Sequence, residues 1–212
     1  MCSGRVDLSH VIRAFSNGMD GVFIVGCRLN ECNYITHGNY DALGMVHISR
    51  KLLMHAGVNP QRLRIEFMSG GEGIIFAEVM NDFGKKIEEL GPLGPGEGID
   101  EEGLKFKLDA ISKLIPYIKL VERERLRVPV KSESEYNKFF TSDEVNRLFD
   151  ELIGDKLAIS QIMLLLRERP RSTGEIAEIL GLNPSDVSRH INISSRQGFV
   201  RFDEKLKCFA LA

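Results

Sequence analysis

Residues 22–34 read VFIVGCRLNECNY. Val22 to Val25 is a β-branched and aromatic run, apolar at both alternating positions and closed by Gly26. A parallel strand buried on both faces reads this way. Cys27 and Cys32, two of only four cysteines in the chain, follow at once. The segments around this run have helical period. Asp7 to Asn17 puts Leu8, Val11, Ile12 and Phe15 on one stripe, with Gly18 as C-cap. Asn39 to Ala56 turns Leu43, Val46, Leu52 and Leu53 inward and ends at Gly57. Leu63 to Met68 is again strand-like. After SGGEG, Glu72 to Leu90 gathers Ile75, Phe76, Val79, Phe83, Ile87 and Leu90 into a helical stripe. The order α, β, α, β, α predicts an α/β domain, a parallel sheet covered by helices. No strand feeds the first helix, so the sheet reads as truncated on its N-terminal side.

Gly91 to Gly98, GPLGPGEG, reads as a linker. Asp100 to Leu126 is helical in pattern, and Pro116 is expected to kink or end it. VERERLRVPVKSESE reads as a charged crossing, and Ser142 to Ile153 as a short amphipathic helix. The last segment follows a different logic. Lys156 to Arg167 is a strongly apolar helix, TGEIAEILGL a short one turning at Gly181, and a third starts at Pro184 and runs to Gly198. Phe199, Arg201 and Asp203 then outline a strand, and Leu206, Cys208 and Ala210 its return. Three helices and a β-ribbon predict a winged helix-turn-helix. The expected regions are therefore an α/β domain over 1–92, a linker and helical connector over 93–154, and a winged helix-turn-helix domain over 155–212.

With 212 residues, 43% of them hydrophobic, the chain can bury a core. A formal charge of −2 argues against general attraction to nucleic acid or membrane. The charge is uneven: residues 1–155 carry 19 Lys and Arg against 24 Asp and Glu, whereas residues 156–212 carry 9 against 6. No apolar run is long enough to span a bilayer, and the first residues lack the apolar core of a signal peptide. A cytoplasmic, reducing setting is expected. There, paired cysteines more often bind metal or catalyse than form disulfides.

Open α/β sheets place ligands at the carboxyl ends of their strands. Cys27 sits at such an end. Cys2 precedes the first helix and falls on the same edge, so Cys2, Cys27 and Cys32 can converge. Four residues between Cys27 and Cys32 lie at the limit of zinc-knuckle spacing. The same spacing occurs in two-iron ferredoxins. Buried, inert thiols are the third reading. His37 is near enough in sequence to be a fourth ligand, and Cys208 reads as a buried hydrophobe on the wing.

Three stretches resemble the delta subunit of methyl-viologen-reducing hydrogenase: CSGRVDLSHVIRAFSNGMDGVFIVGCRLNECNYITHGNYDAL, NPQRLRIEFMSGGEG and FAEVMNDFGKKIEELGPLG. The resemblance runs from residue 2 to about residue 94. It implies a 2Fe-2S cluster with Cys2, Cys27 and Cys32 as ligands. It also implies an electron-transfer role between a hydrogenase or formate dehydrogenase and the flavin-containing subunit of a heterodisulfide reductase, with the flavin in the partner. No general acid, base or nucleophile is implied, because the chemistry is the cofactor's. Members of that family carry a further upstream strand with a C-x-x-C element, which accounts for both the absent strand and the absent fourth ligand. The expectation is that Met1 is an internal methionine, the reading frame having been cut at a UGA codon. The alternatives are a cluster-less paralogue or a fourth ligand supplied by a partner.

The MSGGEG loop, Met68 to Gly73, lacks the order of a Walker or dinucleotide site and reads as a tight strand-to-helix turn. In the winged helix, Val187 and Ile191 face the core. Ser185, Arg189, Asn192 and Arg196 face outward, with Ser188 and His190 on the flanks. Ser185, Ser188, Arg189, Asn192 and Arg196 are the candidate contacts to DNA or to a protein partner. The segment GEIAEILGLNPSDVSRHINISSRQGFVRFDEKLKCFALA resembles the winged-helix tails of bacterial metal- and redox-responsive repressors. This leaves a second reading, a redox- or metal-sensing DNA-binding regulator, and a third in which zinc replaces the cluster.

Overall fold

The computed structural model describes residues 2–34 and 38–212. The chain forms two compact units, Met1–Arg147 and Leu148–Ala212.

In the first unit Asp7 caps helix α1 (Leu8–Ser16), its carboxylate accepting the Ser9 N–H at 2.9 Å. The stripe Leu8, Val11, Ile12 and Phe15 is buried as its spacing predicts. Gly18 turns the chain at φ +80° toward strand β1 (Val22–Gly26), which pairs in parallel with β2 (Leu63–Phe67). Val22 lies opposite Leu63, Ile24 opposite Ile65, and Gly26 opposite Phe67. Helix α2 (Asn39–His55) joins the strands and packs on β2 and α1. It is buried almost all round because α5 (Glu133–Thr141) covers another side of it. Tyr136 meets Tyr40 at 5.3 Å, and Phe140 stacks on His47 at 4.9 Å. Helix α5 lies partly within the stretch read as a charged crossing; its buried Tyr136 and Phe140, four residues apart, make it a helix.

Three expectations are corrected. Helix α3 (Gly73–Leu90) buries only Phe83, whose ring sits 5.2 Å from Phe23 on one face of the sheet. Ile75 and Phe76, expected inside, are exposed, as are Ile74 and Met80. Val25, two residues from Phe23 and so on the same face, is exposed as well, so β1 is not buried on both faces as its apolar run implies. Periodicity reports an apolar face, not that anything covers it. Pro116, expected to kink or end its helix, does not end it: α4 (Glu101–Arg125) continues past it. The proline occupies an exposed position, where water can take the hydrogen-bonding groups its ring releases. Helix α4 packs along α1.

The glycine-rich linker is tied down by Arg62, a fully buried side chain. Its Nε donates to Glu97 at 2.5 Å. Its two Nη groups donate to the carbonyls of Asp20 (3.0 Å), Gly91 (2.9 Å), Leu90 (3.2 Å) and Pro92 (3.3 Å). The Asp20 carboxylate in turn accepts the Leu93 N–H at 2.7 Å. One planar guanidinium thus joins the approach to β1 and the end of α3 to the linker.

The second unit is a winged helix-turn-helix, as expected. Helix α6 (Asp143–Phe149), which begins in the first unit, leads through a π-helical turn (Asp150–Gly154) into α7 (Asp155–Glu168), so the helix expected to end at Ile153 carries on. Ser172 and Glu175 form a capping box at α8 (Thr173–Leu180), and Gly181 ends it in a left-handed turn. Asn183 caps α9 (Pro184–Arg196), and β3 (Val200–Asp203) returns antiparallel as β4 (Cys208–Leu211).

Arg62→Met should lower the stability of the first unit by about 3–5 kcal/mol, because Glu97 is left buried and unpaired; urea denaturation measures this. A second prediction concerns Glu122, which lines a cleft of about 670 Å³ with Tyr40, Asp41, Lys119 and Tyr136. Burial, then the Asp41 and Asp7 carboxylates, pushes Glu122 up to about 7 against the opposing charge of Lys119. A raised carboxyl keeps its proton in the folded chain after the unfolded chain has lost its own. Stability from this group is therefore full below pH ~4.5 and is lost as pH rises toward 7. Glu122→Gln should stabilise the chain by ~1–3 kcal/mol at pH 8 and by almost nothing at pH 4.

Candidate thiol site

Three elements bring the site together. A short 3-10 turn, Ser3–Arg5, follows Cys2 and packs against β1 and α2. Strand β1 ends at Gly26 and delivers Cys27 to the sheet's carboxyl rim. The loop after it folds back because Asn39, the buried first residue of α2, holds it. The Asn39 Nδ2 donates to the carbonyls of Cys27 (2.9 Å) and Arg28 (2.8 Å), and lies 3.7 Å from the Cys27 Sγ. Within the loop, Glu31 N–H donates to Arg28 O at 3.0 Å. Asn30 adopts φ +70°, a conformation asparagine tolerates, and its side chain accepts from the Tyr40 hydroxyl at 3.0 Å.

The loop therefore returns Cys32 to Cys2, with the two sulfurs 3.5 Å apart. Cys27 interacts electrostatically with both. Partial burial, then the Cys32 and Cys2 thiols, pushes the Cys27 thiol up. The backbone N–H of Tyr34 holds the Cys32 thiol down, aided by that of Asn39 and opposed by partial burial. Gly38 is part of the arrangement: a Cβ there would stand 2.6 Å from the Cys32 Sγ and closer still to the Tyr34 carbonyl. The Ser3 hydroxyl is buried at the same rim without a hydrogen-bond partner, 2.7 Å from where a Cβ on Gly26 would be.

The MSGGEG loop adjoins the cysteine loop. Arg28 forms an ion pair with Glu72, whose carboxylate also accepts the Ser69 N–H at 2.6 Å. Met68 N–H donates to Gly26 O at 2.9 Å.

These residues suit an iron–sulfur group. Two thiolates on one tetrahedral metal at ~2.3 Å stand about 3.8 Å apart, near the Cys2–Cys32 spacing. The N–H donors beside Cys27 and Cys32 are of the kind that tune a bound cluster. The orphaned Ser3 hydroxyl is a further donor at the rim. Among the described residues, no group of three or more His, Cys, Asp or Glu forms a ready cage for a single metal ion. His37 lies outside the described residues. Cys208 is in the second unit, half-buried on β4.

In the second unit, Ser185, Arg189, Asn192 and Arg196 are exposed on α9, and Ser188 is half-buried. His190, expected on a flank, is buried at 3% exposure. It stands three residues after Val187 on the same helical face, a signal already in the spacing. The sequence reading also missed Gly38, Asn39 and the Arg28–Glu72 pair. Only the glycine placed directly before a helix, in HGN, hinted at a close approach.

The family described as methyl-viologen-reducing hydrogenase, delta subunit, matches residues 1–91, and the bacterial regulatory protein family arsR matches residues 160–201. The iron-sulfur subunit of the F420-non-reducing hydrogenase of Archaeoglobus profundus is 47% identical over 91 residues, which are 43% of this chain and 66% of that protein. The vhu iron-sulfur subunit of the F420-non-reducing hydrogenase of Methanopyrus kandleri is 36% identical over 92 residues, covering 43% of this chain and 69% of that protein. The Ferredoxin/F(420)H(2)-dependent CoB-CoM heterodisulfide reductase of Methanosarcina acetivorans contributes a longer relative. One of its subunits is 44% identical over 94 residues, 44% of this chain and 12% of that protein. The chain thus spans about two thirds of the hydrogenase iron-sulfur relatives and about an eighth of the reductase relative.

Mild oxidation of the metal-free chain should link Cys2 to Cys32 ahead of any other pair, as peptide mapping would show. Gly38→Ala should suppress that link by displacing the Cys32 sulfur. A preferred Cys2–Cys27 or Cys27–Cys32 link would contradict the geometry.

Proposed function

Because the chain belongs to the methyl-viologen-reducing hydrogenase delta-subunit family, we propose that it is an iron–sulfur electron-transfer component of a hydrogenase- and heterodisulfide-reductase-type complex in the cytoplasm. Electrons enter from a hydrogenase or formate dehydrogenase and leave to a flavin-containing reductase partner. The observation that supports this reading is the approach of the Cys2 and Cys32 sulfurs to 3.5 Å, beside Cys27 at the strand rim.

The three thiolates hold a 2Fe-2S cluster, with a fourth ligand from outside the described residues. When bound, the cluster supplies a one-electron couple. The chain's own residues fix its position and surroundings. Asn39 holds the loop and offers an N–H toward Cys27, the backbone N–H groups of Tyr34 and Asn39 favour the thiolate of Cys32, and Gly38 leaves room for its sulfur. Cys27 is exposed, which suits exchange with a docked partner. A second reading, a redox-responsive regulator, is favoured by the arsR match and the exposed face of α9.

Anaerobic stopped-flow with reduced methyl viologen as one-electron donor tests the first reading. The chain's visible absorption should bleach on mixing, and the bleach should vanish in Cys32→Ser. An unchanged bleach in that variant would refute it.

A further inference from the structure

The outward face of α9 is built like the reading face of a helix-turn-helix, yet its central cation is occupied. Arg189 presents its fork to Asp155, the first residue of α7: Nη1 to Oδ2 at 3.1 Å and Nη2 to Oδ1 at 3.2 Å. A second carboxylate, Asp186, stands 3.5 Å from Nη2. Behind Asp155 lies the buried ring of His190, whose Nε2 is 3.7 Å from Oδ1. The two parallel contacts reproduce the geometry in which a guanidinium grips a phosphate. Arg196, further along the same face, is exposed and has no ion-pair partner among the described residues. On the wing, Arg201 and Lys205 are exposed, with Asp203 and Glu204 opposing them.

We propose that the winged-helix unit carries a duplex-DNA phosphate site centred on Arg189, which its own Asp155 and Asp186 carboxylates hold closed. Asp155 takes the place a backbone phosphate would occupy. The ion pair is about half exposed, so phosphate can compete for Arg189 only against a partner held by the same unit. Binding is therefore weak until Asp155 is displaced or neutralised. This proposal goes beyond the electron-transfer reading and needs no iron, so the two stand or fall separately.

Fluorescence anisotropy of a labelled mixed-sequence duplex, titrated with the full 212-residue chain over a salt series, tests the proposal. Asp155→Asn should tighten binding about fivefold, the size set by releasing one exposed ion pair. It should also steepen the dependence of log K on log salt by about one counterion. Asp186→Asn should give a smaller gain in the same direction. Adding Arg189→Ala to Asp155→Asn should return binding to the level of the parent chain. Thermal melts of each variant separate these effects from misfolding. The proposal is overturned if Asp155→Asn leaves affinity and salt slope unchanged. It is also overturned if Arg189→Ala alone weakens the parent chain as much as it weakens Asp155→Asn, since Arg189 would then already be on DNA. Absence of duplex binding by every variant overturns it too, and would make the unit a protein-docking module.

Discussion

A single side-chain amide sets the geometry of the rim. Asn39 is buried at the first residue of α2, and its Nδ2 serves two consecutive carbonyls of the cysteine loop. A buried amide without partners is costly. The arrangement seen satisfies it, with the loop drawn back against the helix. That return carries Cys32 to Cys2. Without it, Cys32 would sit six residues beyond the strand with nothing to aim it. Gly38 is the steric counterpart, because a side chain there would occupy the space of the Cys32 sulfur.

Two arginines extend this constraint through the first unit. Arg28 ties the cysteine loop to the turn that opens α3, and Arg62 ties the linker to the strand starts. The thiol rim is thus fixed to β1, α2 and α3 together, while Cys27 and the leading half of α3 stay exposed. The rim thus combines positions fixed by three elements with a surface that another protein can reach. The second unit uses a similar device to another end. There, too, an arginine is held by a carboxylate from a different helix, but at the surface rather than in the core.

Much of this was legible in the residues. The alternating pattern of helices and strands gave the parallel pair, and the rule that ligands sit at strand carboxyl ends placed Cys2, Cys27 and Cys32 on one edge. The winged helix followed from turn residues: Gly181 and Pro184 each mark a boundary where the structure has one. What failed did so for physical reasons. The stripe on α3 is real, but sequence period cannot say whether a second layer is present to bury it. Pro116 does not end its helix because its position is exposed, and that exposure is a tertiary fact. Helix α5 was hidden in a charged stretch since its two aromatic anchors matter only once α2 is beside them. The pairings of Arg62 with Glu97 and of Arg189 with Asp155 span 35 and 34 residues, and nothing local encodes them.

The central claim is that Cys2, Cys27 and Cys32 act as one iron-binding set. It is tested most directly by anaerobic reconstitution with ferrous iron and sulfide, followed by iron analysis and the visible spectrum of the parent chain and of four single Cys→Ser variants. The account predicts bound iron with thiolate-to-iron absorption in the parent chain. It predicts loss of both in Cys2→Ser, Cys27→Ser and Cys32→Ser, and retention of both in Cys208→Ser. Iron binding that ignores any of the first three cysteines, or that depends on Cys208, would contradict it.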